Sequence, residues 1–156
     1  MRPAGPADLE LAVALFSVPR MLAHRPDPSP PSRDALAAEM AEAEAAWARD
    51  GVGRWRLSLR EDGAAAGFGG LGPRPGREGL NLSFHVSPAM QGRGLAGEFV
   101  AGALALAFGA LRASRVYGLA RPWNAASLRV LERAGFAPEA EIELHGAPSL
   151  LLARGR

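Results

Sequence analysis

The chain has 156 residues, 48% of them apolar and 22% charged, with 18 basic against 16 acidic residues and a formal net charge of +2. All 18 of those basic residues are arginines, scattered without a run of neighbours, so the pI of about 10.3 reflects side chains that do not deprotonate and gives no focused footprint for nucleic acid. The absence of cysteine excludes disulfides, thiolate metal sites and a cysteine nucleophile, and the length fits one domain over residues 1–156.

No secretory leader is expected, because the opening stretch LAVALF is preceded by Asp8 and Glu10 and lacks a basic start and a cleavage site. A cytoplasmic location follows as an expectation, with neither membrane nor nucleic acid as partner. Ala7 to Phe16 predicts a short amphipathic helix that ends before Pro19. RPDPSPP, from Arg25 to Pro31, predicts a loop, since proline removes amide donors and restricts the residue before it. Ser32 then caps a predicted helix from Arg33 to Arg49.

From Gly53 the period changes from helix to strand. WRLSL alternates as a strand, EDG turns the chain, and AAAGFGGLG resumes as the second arm of a hairpin. GFGGLG, from Gly67 to Gly72, matches the glycine spacing of dinucleotide-binding turns, but that fingerprint needs a helix directly after it. Here Pro73, Pro75, Gly76 and Gly79 follow instead, so small residues that let a helix or ligand lie close to a strand are the better reading. Leu80 to Val86 alternates again and feeds the turn QGRGLA, after which Leu95 to Arg112 predicts a helix. The apolar run within it, Phe99 to Leu111, is well short of the roughly 20 residues that cross a bilayer, so a core helix is expected. Arg115 to Ala120 predicts a buried strand, Asn124 to Ala134 a short helix closed by Gly135, and Ala140 to Leu144 and Ser149 to Ala153 two short strands joined by HGAP. The order predicts an α/β (α+β) fold, a mixed sheet with helices on both faces.

QGRGLA sits between a strand and a long helix, where Gly92 and Gly94 let the backbone approach a ligand and the first helical amides lack partners. Those amides and the helix dipole favour an anion, and Arg93 adds a fixed cation. Alone the turn suits several nucleotides. It is joined at a distance by Asn124, Ser127 and the run VLERAGF.

On these two linked motifs the segment from Leu80 to Phe136 resembles the core of a GNAT N-acetyltransferase, in the branch of ribosomal-protein alanine acetyltransferases. FHVSPAMQGRGLAGE resembles that family's fourth strand, pyrophosphate loop and third helix, and NAASLRVLERAGF resembles its fourth helix. The resemblance implies a single GNAT domain with a mostly antiparallel sheet splayed between its fourth and fifth strands. It implies acetyl-CoA as donor, an amine as acceptor, no metal, and a homodimer by family habit. Phe84, His85 and Val86 would pair with the pantetheine arm as an added strand. Gly92, Arg93, Gly94, Leu95, Ala96 and Gly97 would cradle the pyrophosphate, with Gln91 at its border. Asn124 would bond the pantetheine region, Arg133 would reach the nucleotide phosphates, and Ser127 would protonate the departing thiolate.

The chain also departs from the family. Many members carry a glutamate base five residues before the asparagine and a tyrosine acid seven after it, where this chain has Leu119 and Leu131. Glu143, His145 and His85 are the remaining candidates for a base. The first strand is expected to be short or missing, with Arg2 and Pro3 at the position of an RP pair. The acceptor wall would comprise the proline-rich Arg20–Ser32 segment and the HGAP turn, with Met21, His24, Trp47, Trp55 and Trp123 as possible liners. A protein N-terminus, a polyamine-like or antibiotic amine and an amino acid all stay open as acceptors. So does a CoA-binding sensor or structural module without turnover.

Overall fold

The computed structural model describes all 156 residues. A seven-stranded sheet runs in the order β1-β2-β3-β4-β5-β7-β6, with every pairing antiparallel except that of β4 with β5. The strands are β1 (Arg2–Pro3), β2 (Arg54–Ser58), β3 (Ala65–Arg74), β4 (Arg77–Val86), β5 (Arg115–Ala120), β6 (Ala137–Leu144) and β7 (Ala147–Gly155). The helices are α1 (Leu9–Phe16), α2 (Pro19–Leu22), α3 (Arg33–Asp50), α4 (Leu95–Phe108) and α5 (Ala125–Arg133). The first strand is short, as the sequence predicts. It is held where the Arg2 guanidinium grips the buried Asp8 carboxylate through two nitrogens, at 2.9 and 2.6 Å.

Alternation along the strands sends side chains to two cores. On one face Phe68 packs with Leu15 and Phe16 of α1 and with Leu36 and Met40 of α3. On the other, Leu82 and Val116 pack with Phe99, Val100 and Leu104 of α4 and Leu131 of α5. The glycines of GFGGLG make this second layer fit: a Cβ at Gly69 would lie 2.3 Å from the Phe99 ring, so α4 sits against bare backbone. The sequence reading of that segment as a close-approach strand is what the structure contains.

Several boundaries differ from expectation. The first helix ends at Phe16, before Pro19 as expected, but a further short helix follows it: Pro19 starts α2 at its first turn, where its missing amide is no loss. Pro75 and Gly76 form a two-residue turn, with Gly76 at φ 74°, so β3 and β4 pair as far as Arg74 and Arg77. The helix predicted to reach Arg112 stops at Phe108, and the chain bends at Gly109, where a Cβ would approach the Ala105 carbonyl oxygen to 2.6 Å. The last two strands are longer than the alternation indicates and join at His145–Gly146, both at positive φ. Trp47 and Trp55, expected as candidate acceptor liners, are core instead. Their rings stack edge-on with centroids 5.0 Å apart, and Trp55 does the same with Phe99 at 5.9 Å.

Candidate active site

The parallel pairing of β4 with β5 spans only Leu80–Leu82 against Val116–Gly118. Beyond it β4 continues to Val86 paired with β3 alone, and β5 continues to Ala120 paired with β7 alone. The two strands therefore diverge, leaving the backbone groups of Phe84 and the Val86 amide open on the side away from β3, while those of His85 face β3 and the Val86 carbonyl is taken by Gln91. A cleft of about 1270 Å³ occupies this divergence and extends between α4 and α5.

One wall is the glycine turn. Gly92 and Gly94 lie at φ 78° and 79°, a conformation L side chains rarely adopt, and a Cβ at either would meet open space. The amides of residues 92–97 donate to no protein oxygen, and the first helical bond of this turn is made by the Glu98 amide to Gly94. Six adjacent free donors at the start of a 14-residue helix suit a polyanion. The Gln91 amide nitrogen donates to the Val86 carbonyl at 3.0 Å and ties the turn to the strand end. Gly92, Gly94, Leu95, Ala96 and Gly97 line the cleft. Arg93 does not: it pairs with Glu61 at 3.0 Å, away from the opening.

The opposite wall is α5. Asn124 caps it, its side-chain oxygen accepting the Ser127 amide at 3.2 Å. Ser127 stands in the first turn and, with Asn124 and Arg133, lines the cleft. Arg154 joins Arg133 at this end and donates to the Ala134 carbonyl, a contribution from β7 that no sequence motif signals. Arg20, Met21, Ala23 and His24 from the segment after α1, together with His85 and Trp123, complete the lining, with the Met21 sulfur 4.0 Å from the Gln91 side-chain nitrogen.

His85 shares its sheet face with Phe68, and its ring meets Phe16 edge-on at 5.3 Å. Burial, then the positive charges of Arg54, His24 and Arg25, push its pKa down to about 3. The imidazole is thus neutral near pH 7 and too weakly basic to take a proton from an ammonium group. His24 is shifted downward too, first by burial and then by Arg25 and Arg121.

Glu143 and His145 are not in the cleft. Glu143 lies two residues beyond Glu141, which pairs with Leu150, itself paired with Ala120. That row of side chains belongs to the α5 face, because a Cβ at Gly118, two residues before Ala120, would meet Leu131. Glu143 is exposed there, across the sheet from His85, and His145 is exposed in the tight turn. Sequence reasoning missed Arg121, which is buried just past β5. It donates to the carbonyls of Leu144, Ala147 and Pro148 and to the Ser149 hydroxyl, pinning the β6–β7 turn. Nowhere do three or more His, Asp or Glu side chains converge as a metal site.

A family model described as an acetyltransferase (GNAT) domain matches residues 1–137. No curated protein matches the chain. Among solved structures, a protein from Bordetella pertussis assigned to the GnaT acetyltransferases aligns with TM-score 0.81 at 26% identity, covering 99% of this chain and 93% of its own. An aminoglycoside acetyltransferase in complex with coenzyme A gives 0.81 at 15% identity, over 99% and 93% of the two chains. A ribosomal-protein alanine acetyltransferase from Vibrio fischeri gives 0.76 at 14% identity, over 99% and 91%. At the two lower identities the likeness is one of fold. With the family match spanning most of the sequence and the glycine turn, splayed strands and capped α5 all in register, the chain belongs to the GNAT acetyltransferases.

Proposed function

We propose that this protein transfers the acetyl group of acetyl-CoA to a primary amine, either a protein N-terminal α-amine or that of a small molecule. The observation that carries the reading is the row of six unpartnered amides at residues 92–97, in a turn whose residues other than Arg93 line the cleft. The amides would hold the pyrophosphate, and in the Phe84–Val86 stretch the open groups of Phe84 and the Val86 amide would pair with the pantetheine arm as a strand does. Asn124, which caps α5 and lines the cleft, would bond the same arm. Arg133 and Arg154, also in the lining, would supply cations for the nucleotide phosphates.

The amine attacks the thioester carbonyl, a C–N bond forms, the C–S bond breaks, and the thiolate takes a proton from the Ser127 hydroxyl. Ser127 recovers its proton from solvent, into which the ammonium proton is lost. A base of ordinary strength is dispensable for an α-amine. With a pKa of about 7.7 to 8.0 it is roughly a tenth neutral at pH 7, against less than about a thousandth for a lysine-type amine. This accords with Leu119 and Leu131 at the two positions where a glutamate and a tyrosine would serve, and with the low basicity of His85.

The same two leucines favour a second reading, a sensor that binds acetyl-CoA without turnover. Release of free thiol from acetyl-CoA across a panel of amines separates the two. Turnover with any amine supports the transferase, and thermal stabilisation by acetyl-CoA with no thiol release across the panel supports the sensor. Ser127→Ala is expected to lower kcat by about tenfold or more with KM for acetyl-CoA little changed, as for a group acting only on the leaving thiolate. Full turnover in that variant would remove Ser127 from the mechanism.

A further inference from the structure

The cleft has a one-sided charge distribution. Its lining includes Arg20, Arg133 and Arg154 but no aspartate or glutamate. Behind the acceptor end, Arg121 is 8% exposed, and its partners are three carbonyls and a hydroxyl, none of them anionic. Its charge is therefore held close to the groove without neutralisation. Arg25 lies over the Phe16 ring, 5.7 Å from its centroid, outside the cleft lining but close enough for its charge to act on His24 and His85 as well as on Asp27.

Two nearby acids are paired elsewhere. Glu39 pairs with Arg54 at 2.5 Å and Glu10 with Arg33, while Asp27 keeps its charge beside Arg25 but stands outside the cleft lining. From the β6–β7 hairpin, Glu141 and Glu143 project on the opposite sheet face. The side chains facing this end from β4 and β5 are Ser83, His85 and Leu119, again without an acid.

Resting on the reading of the cleft as a site for acetyl-CoA and an amine, we propose that the acceptor is an anionic amine, a primary amine with a carboxylate or phosphate close by. A polycation would bring several positive charges against Arg20 in the lining and the charges of Arg25 and Arg121 behind it, with no acid in the lining to receive them, and like charges brought together in a partly desolvated groove discriminate strongly. An anionic group beside the amine would be received by the Arg20 guanidinium, with the fields of Arg25 and Arg121 behind it, while the amine faces the thioester position next to His85. Polyamines and aminoglycosides are thereby excluded as preferred substrates.

The test uses the full chain saturated with coenzyme A for binding, and acetyl-CoA thiol release for turnover. The anionic probes are glutamate, phosphoethanolamine and an Ala-Glu-Glu amide peptide. The cationic ones are spermidine, kanamycin and an Ala-Lys-Lys amide peptide. Glutamate against phosphoethanolamine separates carboxylate from phosphate, and the peptides separate a chain terminus from a free small molecule. At least one anionic probe is expected to bind at least about tenfold more tightly than every cationic one, and Arg20→Glu or Arg25→Glu should narrow that ratio by about tenfold. Binding or acetylation of a cationic probe as strong as the best anionic one overturns the proposal, as does the absence of binding by all anionic probes or a ratio unmoved in both variants. Preferential anion binding without thiol release would sustain the charge assignment and refute the transferase reading.

Discussion

His85 gives the fold an acid sensitivity that can be measured without any substrate. Its imidazole titrates at about 3 in the folded protein because burial and the neighbouring Arg54, His24 and Arg25 disfavour the cation. In the unfolded chain it titrates near about 6.5. A depressed histidine pKa means the unfolded state binds the proton first. The contribution is absent above about pH 7.5, and stability falls as pH drops through 6.5 toward 3. At pH 5 the unfolded chain is almost fully protonated at this site and the folded one almost unprotonated, a loss of about 2 kcal/mol, with a ceiling of about 5 kcal/mol near pH 3. His85→Phe keeps an aromatic ring against Phe16 and removes the titration. Urea unfolding of both proteins at pH 7.5, 6.0 and 5.0 should show the wild type losing about 2 kcal/mol more than the variant between the first and last values. Glu10 and Asp27, held below the usual carboxylate range by Arg33 and by Ser29, also withdraw stability as pH falls. They are present in both proteins, as is His24, so the difference isolates residue 85. Equal pH slopes in the two proteins would refute the assignment of a half-buried neutral imidazole.

Gly69→Ala places a methyl group 2.3 Å from the Phe99 ring and should cost about 2 to 3 kcal/mol, seen as a Tm lowered by about 5 to 10 °C and partly restored by Phe99→Leu. Asn124→Asp retains the oxygen that caps α5, whereas Asn124→Ala should lose about 1 kcal/mol in chemical denaturation; both should bind coenzyme A more weakly if the amide also contacts the ligand. Arg121→Met strips four hydrogen bonds from the β6–β7 turn and should destabilise by at least about 2 kcal/mol, with faster hydrogen exchange at Gly146 and Ala147 as the local signature.

The elements nearest the cleft were the most legible in sequence because their signals are local. Strand alternation from Leu80 to Val86, two positive-φ glycines and an asparagine three residues before a serine each state a backbone requirement within a few positions. Their placement in one cleft followed. What escaped was set by long-range geometry. Trp47 and Trp55 suit a wet groove or a dry core equally by composition, and only the approach of α4 to β3 across Gly69 puts Trp55 beneath Phe99. Glu143 was separated from His85 by parity: a bulge between Pro138 and Ala140 sets which face each later residue of β6 takes, and no residue type announces it. Arg121 carries no motif because its partners are main-chain oxygens some 23 to 27 residues onward, which any sequence would supply.

β6 is the outermost strand of the sheet, so one row of its amides and carbonyls has no neighbour. Such an edge invites another chain to add on. Here Pro138 withholds a donor, the bulge that holds Glu139, itself paired with Arg115, bends the start of the strand, and Glu141 and Glu143 follow at alternate positions along it. A second copy docking antiparallel at this edge would set carboxylate against carboxylate, and a hydrophobic strand from an unfolded chain would have to desolvate the same row. The glutamate that lies too far from the cleft for chemistry thus serves as a guard against edge-to-edge aggregation.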